Sequence, residues 1–258
     1  MVMRRLDAML ERGYGGREVV RWLASGIVLS ATLVYGTQLC AAADVWGGSL
    51  ALTSDYLVRG LSRSDDRAAL QLDVHYLNNS GVVAGLFASN AQVAPGESSN
   101  VELDGFVGFA WTLSSDWRGR ALLNHYAYPW DHRRSGYDYD ELDLDATYQG
   151  WLSIGLFYSP NAPRYSSYRG LIGVTSTAAE VSVQRPVWRR LSATLGVGYS
   201  RLGGPDPAGY TYGSAGAAWD LAPVSLALSY IDTTTGAKAL FYNAAAGGRW
   251  TGTVIWRF

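Results

Sequence analysis

Charged side chains recur at even spacings along this chain: Asp55 with Arg59, Glu102 with Asp104, Arg118 with Arg120, and Glu141, Asp143 and Asp145 in succession. Successive side chains of an extended strand point to opposite faces, so each group shares one face of its strand. The same alternation adds Asp73, Glu180 and Arg257, making eight acids and four arginines on a common inward side. Like charges lining a narrow aqueous passage bias permeation by charge, here toward cations or neutral solutes. The competing reading is that acids and arginines pair across neighbouring strands and fill the interior. On it, Glu102 and Asp104 lie beside the strand of Arg118 and Arg120, and Arg257 closes against the strand of Asp55 and Arg59. Arg63, Asp65, Asp66 and Arg67 read as solvated loop charges.

Other reactive residue types lead less far. Alternation puts His125 on the apolar face of its strand, where a polar side chain needs a reason. A lipid-acting enzyme would pair it with a serine nucleophile, yet no local motif marks Ser166, Ser167 or Ser200. A histidine at the headgroup level is the simpler explanation. His75, His132 and the carboxylates have no metal-ligand spacing, and no cofactor is expected. Cys40 is the single cysteine and falls in the leader described below, so disulfides and thiolate metal sites are not expected in the mature chain. The 21 basic and 22 acidic residues become 16 and 19 once that leader is set aside, a balance that gives no nucleic acid a reason to bind.

The elements that carry these residues are strands. Alternating segments bounded by Gly, Pro, Asn, Asp and Ser predict twelve, at 46–58, 68–77, 81–90, 101–113, 117–128, 139–149, 151–158, 171–185, 191–201, 210–221, 224–232 and 249–258. Their connections alternate in length. Asn78–Ser80, Ser114–Asp116, Gln149–Gly150, Pro186–Arg190 and Ala222–Pro223 are short, whereas Gly60–Arg67, Ala91–Asn100, Pro129–Asp138, Ser159–Gly170, Leu202–Gly209 and Thr233–Gly248 are longer and mostly polar. A transmembrane antiparallel up-and-down β-barrel has this rhythm, with tight turns on the periplasmic side. Trp46, Trp111, Trp117, Trp151, Trp188, Trp219 and Trp256 all fall at that end and only Trp130 and Trp250 at the other, where Tyr128, Tyr137, Tyr158, Tyr199, Tyr210 and Tyr230 are expected to form the opposite girdle. Leu70, Leu72, Val107, Phe109, Leu195 and Val197 would face lipid. Lipid tolerates no open sheet edge, so the sheet must close on itself.

The two ends agree on a destination. Five arginines precede an apolar run from Trp22 to Tyr35, and Ala41-Ala42-Ala43 supplies a small-residue cleavage site before Asp44. Residues 1–43 therefore read as a cleaved signal peptide and 44–258 as the barrel, the alternative being a retained transmembrane anchor. In the last strand Trp250, Val254, Trp256 and Phe258 share one face, and a terminal aromatic on such a strand is the recognition signal of the outer-membrane barrel assembly machinery.

Ser54-Asp55-Tyr56-Leu57-Val58-Arg59-Gly60-Leu61-Ser62, followed by Ala68-Ala69-Leu70-Gln71, resembles the N-terminal signature of the Gcw-chp proteins of proteobacterial outer membranes, also called TorF-type porins. Gly81–Asn90, Glu102-Leu103-Asp104 and Gly108-Phe109 extend the match, which is clearest over 46–110. Val58, Arg63 and Phe87 depart from the pattern, where Phe, Gln and Trp are common. The resemblance implies an outer-membrane barrel and carries over Asp55 and Arg59 as signature residues. The expectation is a Gram-negative outer-membrane channel, surrounded by lipid, for small hydrophilic solutes. A plugged structural or adhesive barrel is the alternative, and a lipid-acting barrel enzyme the third.

Overall fold

The period-two segments become strands in the computed structural model, which describes residues 44–92, 100–129, 136–166, 170–241 and 245–258. The expected leader, Trp130, His132 and Ser167 lie outside the described residues. The strands are β1 (Val45–Thr53), β2 (Leu57–Val58), β3 (Leu61–Ser62), β4 (Ala69–Leu77), β5 (Val82–Ala91), β6 (Asn100–Thr112) and β7 (Trp117–Ala127). They continue as β8 (Tyr139–Tyr148), β9 (Leu152–Ser166), β10 (Gly170–Trp188), β11 (Leu191–Leu202), β12 (Ala208–Asp220), β13 (Val224–Thr233) and β14 (Arg249–Arg257). Among the described residues, β1 and β4 to β14 form a closed twelve-stranded barrel in which each strand pairs antiparallel with its sequence neighbour. β1 closes on β14 with Ser49 opposite Arg257 and Thr53 opposite Thr253, and Gly48 and Phe258 exchange backbone hydrogen bonds of 3.0 and 3.1 Å.

The side chains are sorted inside out relative to a water-soluble barrel. Leu86 and Leu195 are 69% and 60% exposed on the outer surface, whereas Glu102 and Asp143 are each 1% exposed on the inner one. Hydrocarbon against the outer wall accounts for this pattern, because it hides the leucines that water would not. Two-residue and other tight turns gather at one end. Asn78 accepts the N–H groups of Ser80 and Val82 at 3.0 and 2.8 Å, and Gln149-Gly150 turns with φ of 46° and 71°, a hairpin geometry that favours glycine. Most of the described tryptophans cluster there: Trp46 packs on Tyr76, Trp117 on Tyr148 and Trp256 on Phe258, with centroids 5.1–5.2 Å apart, whereas Trp250 packs on Tyr230 at the other end.

Four expectations change. The first strand ends at Thr53 rather than running to residue 58, because Arg59 and Gly60 adopt φ of 50° and 77° and fold Leu57–Val58 back on Leu61–Ser62 as a hairpin. β9 and β10 extend through most of the expected 159–170 loop. Of its prolines, Pro160 falls where the β9–β10 register shifts between Val174 and Ser176, and Pro163, opposite Gly173, lies beyond Tyr158, where the ladder of β9 with β8 has ended and one side of the strand needs no donor. The expected Pro186–Arg190 turn narrows to Arg189-Arg190, since β10 reaches Trp188. Of the expected tyrosine girdle, Tyr158, Tyr199 and Tyr230 are exposed, but Tyr128 and Tyr210 are buried. A short helix, α1 (Thr235–Leu240), crosses the loop end and buries Ala237 against Tyr210, Tyr212 and Leu61.

Candidate functional site

The segment between β1 and β4 does not stay in solvent; it enters the loop end of the barrel and is held by side chains from around the wall. Tyr56 is 2% exposed and donates its hydroxyl proton to Glu102 on β6, while its ring packs 6.1 Å from that of Phe87 on β5. Burial, with the charges of Glu102 and Asp104 next, pushes the Tyr56 hydroxyl far above the usual phenol range, so it stays a donor. The Tyr56 backbone N–H is taken by Ser64 Oγ at 2.9 Å. Arg59 reaches across to β8, where its Nη2 lies 2.6 Å from Glu141 Oε1, and its guanidinium sits 4.5 Å above the Phe157 ring of β9. Asp55 accepts from Ser62 Oγ at 2.6 Å and from Arg249 Nη1 of β14 at 3.0 Å, and Arg249 also pairs with Asp66.

Further contacts complete the tie. Ser62 donates its backbone N–H to Ala245 at 2.8 Å, Gln92 donates to the Arg63 carbonyl at 2.6 Å, and Leu61 enters an apolar cluster with Tyr210, Tyr212, Ala237 and Ala246. Gly60 has no room for a side chain, because a Cβ there would press on Thr233 and the Cβ of Tyr212. Arg63 Nη1 lies 3.4 Å from the Tyr128 hydroxyl, which in turn donates to the second carboxylate oxygen of Glu102. A carboxylate buried this deeply is tolerated only with such partners.

Further down the interior, Glu141 is followed on β8 by Asp143 and Asp145. Asn124 donates to Asp143 Oδ2 at 2.9 Å, and Arg120 Nη2 lies 2.6 Å from Asp145 Oδ2. Tyr212 donates to Glu180 at 3.0 Å, and Asp73 lies 2.8 Å from His75 Nδ1. Asp104 Oδ1 and Asp143 Oδ1 are buried without a hydrogen-bond partner among the described residues. Arg118 is exposed near the turn end, and Arg257 donates to Ser225 Oγ at 2.7 Å there.

The structure thus gathers Asp55, Arg59, Glu102, Asp104 and Glu141 around the inserted segment and sets Asp143, Asp145, Arg120, Glu180 and Asp73 elsewhere on the inner wall. The strand neighbours read from the sequence hold, β6 beside β7 and β14 beside β1, but the charges expected to pair across them do not meet. Antiparallel register sets Asp104 opposite Tyr126, so Glu102 and Asp104 do not meet Arg118 and Arg120; Arg120 meets Asp145 on the other side. Arg257 closes against Ser49 at the turn end, far from Asp55 and Arg59. Sequence reasoning missed Tyr56, Tyr128 and Arg249, and took Arg63 for a solvated loop charge. The available signal was composition: Tyr56, Leu57 and Leu61 are too apolar for a segment bathed in water. The residues expected to form the assembly signal, Trp250, Val254, Trp256 and Phe258, are 64%, 46%, 46% and 57% exposed on the outer face.

The chain shares the fold of solved porins at low sequence identity. It matches the KdgM porin with a TM-score of 0.50 and 10% identity, covering 82% of this chain and 99% of that one. It matches the NanC porin with a TM-score of 0.51 and 10% identity, covering 82% and 98%. No curated protein matches it. The family model described as "Bacterial protein of unknown function (Gcw_chp)" matches residues 40–257, nearly the whole barrel with its signature segment. The chain, whose Ser54–Ser62 signature supplies the segment inside the barrel, therefore belongs to the Gcw_chp family.

Proposed function

We propose that this protein is a passive outer-membrane channel of a Gram-negative bacterium for small hydrophilic solutes, with residues 54–67 forming its constriction. The observation that carries the reading is the polar interior within an apolar outer wall, which gives water and solutes a favourable surface along the axis. On this reading residues 1–43 are removed on export, the exposed aromatics of β14 engage the barrel assembly machinery, and the tight-turn end faces the periplasm. Asp55, Asp73, Glu102, Asp104, Glu141, Asp143, Asp145 and Glu180 line the path with Arg59, Arg118, Arg120 and Arg257. Arg63 and Arg249 join the arginines at the mouth and reduce the acidic excess, leaving a modest preference for cations and neutral solutes. Single-channel recording on barrels purified from membranes after expression of the full chain tests this. Stepwise currents with cation selectivity support it, and a folded but silent barrel refutes it. A plugged structural or adhesive barrel is the second reading, favoured by the burial of Tyr56 and Leu61 in the mouth. A lipid-acting enzyme would need a nucleophile beside His125, whose Nδ1 is engaged by Asp140 at 2.8 Å.

A further inference from the structure

The inner wall is not uniform, and what a passing solute touches differs from what the count of charges suggests. Glu102, Asp104, Glu141 and Asp143 are only 1%, 7%, 3% and 1% exposed, so the acids of β6 and β8 are largely covered. Of the more open acids, Asp145 pairs with Arg120 and Glu180 accepts from Tyr212. Toward the tight turns of β8 to β13 the wall is instead hydroxyl and amide. Thr147, Ser153, Ser182, Gly196 and Ser214 are successive register partners on β8 to β12. Gln184, Thr194, Gly216 and Ser229 form a second row on β10 to β13. Alternation turns both rows inward, on the side of Asp145, Glu180 and Tyr212. Thr147, Ser153, Ser182, Gln184, Thr194 and Ser214 are only partly buried, so the lumen is open beside them. Among the described residues none of these six side chains hydrogen-bonds within the protein.

Across the barrel the wall is apolar. Leu77, Val83, Ala110 and Leu122 form a buried cluster on which Phe106 packs. They point inward, since their neighbours Val82, Phe109 and Leu123 are exposed on the outer surface. The Phe106 ring fills the space that a side chain at Gly85 would need. In the closed ring β5 and β6 lie half-way round from β11 and β12, so this cluster faces the hydroxyl rows. Both patches belong to the tight-turn end: Leu77 and Val83 flank the turn at Asn78, and Thr147 and Ser153 the turn at Gln149-Gly150. A hydroxyl donates one hydrogen bond and accepts two, so it matches another hydroxyl in either direction and needs no counter-charge. An ion here would exchange its hydration for neutral dipoles on one side and hydrocarbon on the other, a poor bargain. A sugar ring carries a hydroxyl rim and C–H faces, which answer both walls at once.

We propose that the tight-turn half of the lumen selects uncharged sugars and polyols, the hydroxyl rows exchanging hydrogen bonds with the solute and the Leu77–Leu122 cluster meeting its C–H face. This rests on the channel reading above and names its solute class. The test is the swelling rate of vesicles carrying barrels purified from membranes after expression of the full chain. Glucose, glucuronate and glucosamine serve as probes of similar ring size, at a mildly acidic pH where glucosamine is a cation, each charged sugar with a permeant counter-ion. Glucose enters severalfold faster than either charged sugar. Ser182→Ala/Thr194→Val/Ser214→Ala removes three hydroxyls with little change in width and lowers the ratio of glucose entry to salt current severalfold. A shift in electrophoretic mobility on heating checks that this variant is folded, and the wild-type sugar series decides the matter where it is not. A charged sugar entering as fast as glucose, or an unchanged ratio in the folded variant, overturns the inference and leaves the channel reading standing. A folded wild-type barrel that passes neither salt nor sugar overturns both.

Discussion

Replacing Arg59 with alanine should loosen the inserted segment and change the current through the barrel. Arg59 and Glu141 side chains are 11% and 4% exposed and 2.6 Å apart, so the change strands a buried carboxylate. Stranding one partner of a buried pair costs roughly 3–5 kcal/mol. The lower end is appropriate because Glu141 can regain water as the segment lifts. About 3 kcal/mol corresponds to roughly a hundredfold shift between inserted and lifted arrangements. Asp55–Arg249 and Tyr56–Glu102 still hold the segment, so the expected result is frequent excursions rather than permanent release. Single-channel recording should therefore show larger, noisier current steps in Arg59→Ala than in wild type. The double variant Arg59→Ala/Glu141→Gln removes the stranded charge and should recover part of the quiet behaviour, giving a non-additive cycle. Wild-type conductance and noise in Arg59→Ala would show that this pair does not restrain the segment.

Neutralising Glu141, Asp143 and Asp145 to their amides should shift reversal potentials in a salt gradient toward anion permeation by severalfold; an unchanged ratio would remove them from the conduction path. Gly60→Ala meets both a φ of 77° and the side chains of Thr233 and Tyr212, and should destabilise the inserted hairpin by about 1–2 kcal/mol. Faster proteolysis within 54–67, with the barrel intact on gels, is the expected readout. Leu195→Arg puts a charge on the lipid face, where Leu195 is 60% exposed, and should cost roughly 2–4 kcal/mol in reversible folding into vesicles if the residue lies near the midplane.

The barrel itself was largely legible, because a wall between lipid and water imposes period two on every strand and every second connection is a tight turn. Leu195, Val197 and Tyr199 alternating with Gly196, Gly198 and Ser200 identify a strand and both of its faces with no knowledge of its neighbours. The inserted segment was not legible in the same way. Asp55 through Arg59 continues the alternation of β1, and only the left-handed turn at Arg59-Gly60 and the pockets offered by distant strands turn it inward. Pairing failed for a related reason. Charges on adjacent strands meet only if the register brings them level, and Glu102 at the start of β6 lies far along the barrel from Arg118 at the start of β7. Pro160 and Pro163 concealed the length of β9 because the first is tolerated at an irregularity in the ladder with β10 and the second where β8 no longer pairs with β9.

The seam between β1 and β14 joins residues about 200 positions apart in the chain, as the Thr253–Thr53 hydroxyl contact illustrates. Its ladder runs only from Ser49 to Thr53, with Gly48 and Phe258 exchanging bonds beyond it. Every other junction is a hairpin or short-range pairing that can form as a growing sheet, but this one must wait until β14 has been threaded. Until then the sheet has two bare edges, and either could capture a strand from another chain. Ring closure, the pairing with the largest sequence separation, is thus expected to come late, and until it does both edges need protection during transit.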